Sequence, residues 1–113
     1  MLGELEMPPG KLAAQAGHAF LDCWMQALKQ TPERARLYHT EGHGSKIVLT
    51  CPTVRELAAV QATALSLGYP TVQVIDANHV LLPHFTGAPV VTAIGIGPIT
   101  KAEASFMRHL HTV

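Results

Sequence analysis

The sequence has little charge and few aromatic side chains. Of its 113 residues, 14% are Asp, Glu, Lys or Arg and 5% are Phe, Trp or Tyr, and eight basic against eight acidic residues give a formal net charge of zero. Proteins that bind nucleic acid mainly through its phosphates usually carry an excess of Lys and Arg. The composition therefore argues against a strong general electrostatic attraction to a polyanion, although a local basic patch remains compatible with it.

Cysteines and long apolar runs are also scarce. Cys23 and Cys51 are too few for a disulfide framework, and we expect them to be small core residues in a reducing compartment. No run of about 18 apolar residues is present, and no charged-then-apolar leader stands before the first predicted helix. We therefore predict a cytoplasmic protein with no membrane span. The apolar fraction of 48% is typical of packed globular chains, and we predict one domain over residues 1–113.

The segment 7–20 combines a turn with the start of a helix that carries a polar stripe. Two prolines and a glycine at 8–10 predict a helix over 11–30, in which Lys11, Gln15 and His18 recur at i, i+4 and i+7. Simple explanations exist for each: a solvated Lys11, a solvated Gln15, and an ion pair of His18 with Asp22. A cation in the first turn nevertheless opposes the helix dipole, which favours a functional reason for Lys11.

Apolar segments predict strands at 45–51, Thr71–Asp76 and 90–97, with a short extended piece at 80–82. The adjacent aliphatics of the first strand predict burial on both faces. Thr31 and Pro32 predict the start of a short helix. Thr53 with Glu56 predicts a capping box, Gly68 a helix end, and Thr100 the cap of a last helix over 101–111. The helix after Thr53 has Leu57, Val60, Ala64 and Leu67 as its apolar face.

The order strand–helix–strand predicts a βαβ unit with a right-handed crossover. The expected fold class is α/β, a small sandwich of at most three layers.

Asp76 lies at the carboxyl end of a predicted strand, where open α/β sheets bind ligands. From the residues alone, an Asx turn formed with the following Ala77-Asn78 explains it equally well. His39, Glu41 and His43 share one loop, but catalytic metal sites draw ligands from rigid elements. We predict no metal and no cofactor. No Gly-x-Ser-x-Gly or phosphate-loop motif is present to support nucleophilic or nucleotide chemistry.

Three segments together resemble the class II (archaeal and eukaryotic type) peptidyl-tRNA hydrolases. Residues 7–19 are similar to that family's Met-x-x-Gly-Lys-x-Ala-Ala-Gln-x-x-His-Ala signature, and residues 92–98 (Thr-Ala-Ile-Gly-Ile-Gly-Pro) to its Thr-Val-Leu-Ala-Ile-Gly-Pro strand. Between them, in the family order, come Lys-Ile-Val-Leu at 46–49, Glu-Leu at 56–57, Gly68 and Val-Ile-Asp-Ala at 74–77.

The resemblance implies a fold with a small mixed β-sheet flanked by helices in a three-layer sandwich. It also implies hydrolysis of the ester that joins a peptide to the 3′ ribose of tRNA, so peptidyl-tRNA is the expected partner. It implies a catalytic set of Lys11, Asp76 and His18, with Asp76 orienting or deprotonating water. Lys11 or a nearby amide would stabilise the developing oxyanion. Substrate binding would fall to three further residues of the matching segments: Gln15, Asn78 and Thr92.

The chain departs from the family pattern in three places, one of which is the loop from Asp76 to Thr92, a few residues longer than expected. Val80 and Leu81 stand where the family has a threonine and a glutamine, and His79 or His84 is a candidate substitute. The sequence also starts about one strand later than the family, which would expose unpaired backbone edges. A homodimer formed through such an edge is one arrangement that covers them.

Two other functions stay open beside the hydrolase. The first is a non-catalytic homologue that binds tRNA or a protein partner, and the second is a small-molecule hydrolase that reuses the cleft.

Overall fold

The computed structural model describes residues 1–3, 7–42, 44–76, 80–81, 85–86 and 90–113, and for residues 76, 80–81, 85–86 and 90 it describes the backbone. Helices and strands alternate along most of the chain. In order they are α1 (Pro9–Gln30), α2 (Pro32–Thr40), β1 (Leu49–Thr50), α3 (Val54–Ser66), β2 (Thr71–Asp76), β3 (Val80–Leu81), β4 (Phe85–Thr86), β5 (Val90–Ile96), a 3₁₀ helix (Glu103–Met107) and β6 (His111–Thr112).

The long first helix confirms the prediction for 11–30 and begins two residues earlier. Pro9 occupies its first turn, where a missing N–H costs nothing. Its buried side consists mostly of small residues, which lets the helix lie close to the sheet. The chain then turns directly into α2, but Thr31 is not a side-chain cap: its hydroxyl donates back to the carbonyl of Ala27 at 3.4 Å.

Strands β2 and β5 form an antiparallel pair that is the centre of the sheet. The register runs from Thr71 opposite Ile96 to Asp76 opposite Val90. It shifts once, because Val74 pairs with Ala93 while Ile75 pairs with Val91. Thr92 is therefore the extra residue of a β-bulge, a feature that locally redirects side chains.

Residues 1–3 join this central pair to β1. The N–H of Leu2 donates to the carbonyl of Thr92 at 2.8 Å, and Leu2 forms a parallel bridge with Cys51. The N–H of Gly3 donates to Cys51, and Cys51 donates to Met1. Strand β1 in turn pairs antiparallel with β6. The sheet is therefore mixed, as predicted, although its only described parallel pairing is this short bridge.

Helices cover both faces of the central pair, which confirms the three-layer arrangement. On one face Ala19 of α1 packs with Val74 and Ala93. On the other face Leu57 and Val60 of α3 form a cluster with Leu2 and Cys51. Strand alternation directs Ala93 toward α1 and Ile94 and Ile96 toward the α3 side. The bulge at Thr92 accounts for Val91, which also packs on the α3 side.

Past the contact that Leu2 makes with both strands, β1 and β5 are separated by a largely apolar cavity of about 1130 Å³. Leu49, Ile94 and Ile96 are among the residues that line it. Gly97 donates to Pro70 at 2.9 Å, so the alternating antiparallel pattern directs the backbone groups of Ile94 and Ile96 away from β2. This side of β5 faces the cavity, and the exposed sheet edge expected from the sequence stays a prediction.

Two predictions for the β1–α3–β2 region were wrong. The strand predicted over 45–51 is regular only at Leu49–Thr50, and Ile47 is 70% exposed instead of being covered on both faces. Its antiparallel partner β6 is two residues long and cannot order a longer strand. Strands β1 and β2 are not hydrogen-bonded neighbours, so the two strands of the predicted βαβ unit do not pair directly.

Helix α3 otherwise follows its local signals. The N–H of Glu56 donates to the Thr53 hydroxyl at 3.2 Å, and Gly68 ends the helix with a φ of +77°. Leu67 lies beyond the last helical residue and is 52% exposed, so it does not belong to the apolar face.

The helix predicted over 101–111 was also wrong. Thr100 does cap the next element, because its hydroxyl accepts from the Glu103 N–H and the Glu103 carboxylate accepts from the Thr100 N–H. That element is a short 3₁₀ helix, and the chain then becomes extended to form β6. Long-range backbone pairing with β1 thus overrides local helix preference in the last residues.

A bidentate ion pair holds this C-terminal segment against α2. The Arg34 guanidinium donates to both carboxylate oxygens of Glu103 at 2.6 and 3.0 Å, and to the carbonyl of Pro98 at 3.3 Å. The bonds from Arg34, followed by the bond from the Thr100 N–H, lower the pKa of Glu103 from 4.5 to about 2. Such charge-assisted, two-point contacts are stronger than ordinary surface pairs.

The contacts of residues 1–3 predict that Leu2 contributes strongly to stability. Leu2 is 1% exposed, and Leu2→Ala should lower the free energy of unfolding by about 2–5 kcal/mol because it empties a buried site. Leu21→Ala is the matched control: at 60% exposure it should change stability by no more than about 0.5 kcal/mol. Urea unfolding measures both, and equal effects would contradict the assigned role of Leu2.

The lowered pKa of Glu103 predicts a pH dependence. The stabilisation from its ion pair is fully present above pH 4.5 and is lost as the pH falls toward about 2, because protonation removes the charge that Arg34 binds. The difference in melting temperature between the native protein and Glu103→Gln should narrow as the pH falls from 5 to 2. Glu33→Gln, which removes the exposed pair with Arg36, should change little at either pH. A constant Glu103→Gln difference would exclude this linkage.

Candidate active site

A buried hydrogen bond joins the first and third motifs of the sequence. The side-chain amide of Gln15 on α1 donates to the hydroxyl of Thr92 on β5 at 3.0 Å, and that hydroxyl donates to the carbonyl of Val74 on β2 at 3.3 Å. Gln15 is 8% exposed and Thr92 is 0% exposed. The idea that Gln15 is simply a solvated helix residue was therefore wrong.

The β-bulge makes this bond possible. Without it, Thr92 would face away from Ala93 and toward α3, because side chains alternate along a strand. As the unpaired residue of the bulge, Thr92 instead presents its hydroxyl to α1. Bulges are over-represented beside active sites, where they redirect one side chain.

A second contact fixes the direction of α1 on the sheet. The Cys23 thiol donates to the carbonyls of Gly97 and Pro70, at 3.2 and 3.6 Å. Gln15 thus lies beside Val74 and Cys23 beside Pro70, so α1 runs antiparallel to β2. The spacings agree: eight helical residues rise about 12 Å, and four strand residues span about 13 Å.

This direction brings the start of α1 and the end of β2 to the same edge. Lys11 is one turn before Gln15, about 6 Å further along the helix, and Asp76 is two residues beyond Val74, about 7 Å further along the strand. Lys11 is half-buried. Asp76 is the last residue of β2, and its side chain lies outside the described part of the chain.

His18 lies on the solvent side of the helix, unlike Gln15. It is exposed, and the salt bridges among the described residues join Arg34 to Glu103 and Arg36 to Glu33, not His18 to Asp22. The ion pair that would have explained His18 is therefore absent from that part of the chain. The polar stripe predicted from the sequence is partly buried at Gln15 and open at His18.

The remaining residues of the predicted site lie in the loop after Asp76, of which the structure describes only short segments. Asn78, His79 and His84 lie outside the described residues. Val80 and Leu81 form strand β3, whose antiparallel partner is β4. The strand predicted at 80–82 is confirmed at its first two residues, and Leu82 lies outside the described range.

The cysteines are poor candidates for nucleophilic chemistry. Both are free and buried, as expected for small core residues. Burial raises the pKa of the Cys23 thiol to about 11, and burial also raises the pKa of Cys51. A thiol with a raised pKa is protonated near neutral pH and is a weak nucleophile. Within the described ranges, no three His, Cys, Asp or Glu side chains converge as metal ligands.

Sequence reasoning missed a group of aromatic and cationic side chains beside α1. The Trp24 ring lies 5.8 Å from that of Tyr38 and 6.4 Å from that of His39, and the Lys46 ammonium lies 5.9 Å from the Tyr38 ring centre. These residues come from two helices and a loop. No local pattern joins them, and only the lone tryptophan on a mostly small-residue helix could have drawn attention to the place.

The described helices include none with the length and apolar character to cross a bilayer.

A comparison with known protein families gives one match over nearly the whole chain. Residues 2–113 match the family model described as peptidyl-tRNA hydrolase PTH2.

Individual relatives agree with the family match. A peptidyl-tRNA hydrolase of Pyrobaculum aerophilum is 42% identical over 97 residues, which cover 85% of this chain and 78% of the relative. One of Methanocaldococcus jannaschii is 33% identical over 95 residues, 84% of this chain and 78% of the relative. A probable peptidyl-tRNA hydrolase 2 of Schizosaccharomyces pombe is 35% identical over 97 residues, and there the match covers 86% of this chain but 46% of the longer relative.

The Gln15–Thr92 bond predicts an asymmetric mutational response. Thr92→Val should lower the free energy of unfolding by about 1–3 kcal/mol, because it leaves the Gln15 amide buried without its acceptor. Thr92→Ser keeps the hydroxyl and should cost less. Adding Gln15→Leu to Thr92→Val should recover part of the loss, since both polar partners are then gone. Thermal unfolding of these variants and of Gln15→Leu alone measures the coupling, and strictly additive effects would contradict the bond.

Proposed function

The chain belongs to the peptidyl-tRNA hydrolase PTH2 family, and from this we propose that it hydrolyses the ester between a peptide and the 3′ ribose of tRNA. The observation that carries the proposal for this chain is the antiparallel placement of α1 on β2. That placement assigns the beginning of the lysine motif and the end of the aspartate strand to one edge of the sheet.

We assign the chemistry to Lys11 and Asp76. Ester hydrolysis needs a base or orienting group for water and a positive group for the oxyanion that develops on the carbonyl. A carboxylate at the end of β2 and an ammonium in the first turn of α1 have the charges for these two parts. A cation in the first turn of a helix opposes the helix dipole, and the first turn of α1 contains no acidic residue, which supports a functional reason for a lysine at this position.

Gln15 and Thr92 are assigned a different part from the one that the family resemblance implied. Their side chains are buried and bonded to each other, so we propose that they position the first turn of α1 instead of binding substrate directly. His18, exposed two turns after Lys11, is proposed to contact substrate. Asn78 keeps its proposed place in the loop after Asp76.

The proposed reaction uses water and these side chains, with no covalent intermediate and no cofactor. A substrate made and used during translation also supports the expected cytoplasmic location. Formation of a homodimer through a sheet edge remains part of the proposal, with the edge of β5 that faces away from β2, beyond the contact with Leu2, as its support.

Substitution of the two proposed catalytic residues tests the assignment. Lys11→Ala and Asp76→Ala should each reduce kcat on an N-blocked aminoacyl-tRNA by about 100- to 1,000-fold, because each removes a charge that acts in the transition state. Lys29→Ala is the control, since Lys29 is an exposed lysine in the last turn of the same helix. Circular dichroism checks that every variant folds.

The outcomes separate the candidate functions. Hydrolysis by the unsubstituted protein, lost in both variants and kept in Lys29→Ala, supports the proposal. Hydrolysis at normal rates in either variant would overturn that residue's role. Salt-dependent tRNA binding with no hydrolysis would favour the non-catalytic homologue, which the departures at Val80 and Leu81 make the relevant alternative.

A further inference from the structure

A pocket of about 470 Å³ lies beside α1, away from the edge that carries Lys11 and Asp76. Four residues contribute rings to its walls, Phe20, Trp24, Tyr38 and His39. Lys46 contributes a cation and Leu21 an aliphatic side chain. Its volume falls in the range typical of small-ligand sites. The chain has three Phe, two Tyr and one Trp, so half of its aromatic residues line this one pocket.

The cation of the pocket is held in place by the backbone. After α2 the chain turns at Gly44, whose φ is +66°, and the Lys46 ammonium donates to the Gly44 carbonyl at 2.9 Å. The same ammonium lies over the Tyr38 ring. Neither described salt bridge involves Lys46, so its charge is not neutralised by a carboxylate of the described residues.

The floor of the pocket is open because Gly17 has no side chain. A Cβ built at Gly17 would meet nothing within 4 Å. Glycine in a helix interior costs about 1 kcal/mol relative to alanine, and packing does not require it here. The space above Gly17 is therefore free for a flat ligand beside the Trp24–Tyr38 ring pair, whose centroids, 5.8 Å apart, are too close to admit a ring between them.

We propose that this pocket binds an unpaired base of single-stranded RNA, stacked on Trp24 and Tyr38 with Lys46 on the adjacent phosphate. Accessible aromatic rings beside a cation are the combination that binds single-stranded nucleic acid without sequence preference, and Trp24 and Tyr38 are half-buried. The proposal rests on the proposed function in one respect, that RNA is the ligand. It adds a contact outside the reacting edge.

The position of the pocket defines which part of the RNA it would bind. Trp24 is thirteen residues after Lys11 on α1, about 20 Å along the helix. A base stacked there cannot be the one that carries the reacting ester. The pocket would therefore hold an unpaired nucleotide further along the strand and contribute to binding more than to the chemical step.

The single tryptophan provides a direct readout. All tryptophan emission comes from Trp24, so titration with oligoadenylate at low salt should quench the fluorescence to saturation. Because single-strand binding releases counterions, log Kd should rise linearly with log salt. Lys46→Gln should reduce that slope by about 0.7, the contribution of one phosphate contact. Lys29 lies outside the pocket, so Lys29→Gln should leave the salt dependence of log Kd unchanged.

Blocking the pocket tests the stacking itself. Gly17→Glu replaces a poor helix former by a good one and places a carboxylate in the cavity, so the protein should fold and bind oligoadenylate about 5- to 150-fold more weakly. Ala62→Glu is the control, because it adds the same charge at an exposed position of α3. With tRNA as substrate, Gly17→Glu should raise KM more than it lowers kcat.

Three results would overturn the inference: no quenching by oligoadenylate, equal quenching by inorganic polyphosphate, or undiminished binding in Gly17→Glu. If oligoadenylate causes no quenching but the protein hydrolyses tRNA esters, the proposed function stands and the pocket has no part in RNA binding. Quenching that is lost in Gly17→Glu, from a protein that does not hydrolyse tRNA esters, supports the pocket and counts against the hydrolase.

Discussion

The fold depends on the buried hydrogen bond from Gln15 to Thr92, since it fixes how α1 lies on the sheet. A buried amide that loses its acceptor costs more than the bond contributes when it is made, so the helix cannot slide along β2 without penalty. The Cys23 thiol makes a second polar contact eight residues later. Together these two contacts determine the end of β2 at which Lys11 lies. The geometry of the proposed chemistry thus follows from side chains that do not take part in it.

Long-range backbone bonds set the rest of the architecture. Residues 1–3 bond to both Cys51 and Thr92, and they thereby connect two strand pairs that otherwise diverge around an apolar cavity. Thr92 therefore takes part in both systems: its carbonyl accepts from Leu2, and its hydroxyl accepts from Gln15. A disturbance at the bulge would reach the N-terminal residues and the first helix together. Stability and site geometry are coupled at this residue.

The elements that the sequence predicted well are those with local signals. Two prolines start α1, the Thr53–Glu56 pair starts α3, and Gly68 ends it. The antiparallel pairing, the short β1 and the C-terminal β6 could not be read in this way, because each depends on a partner distant in sequence. The same distinction holds for the site. Its motif residues were recognisable, but the burial of Gln15 depends on a register shift between β2 and β5 that no local pattern encodes.

Composition argues against RNA binding by the chain as a whole, but an average over the chain is a weak guide to any one surface. A net charge of zero and 5% aromatic residues describe the whole sequence, whereas binding depends on what one surface presents. Trp24, Tyr38 and Lys46 are brought together from α1, α2 and the loop after α2, and half of the aromatic residues line one pocket. One cation beside stacked rings needs no excess of basic residues, since stacking does not depend on net charge.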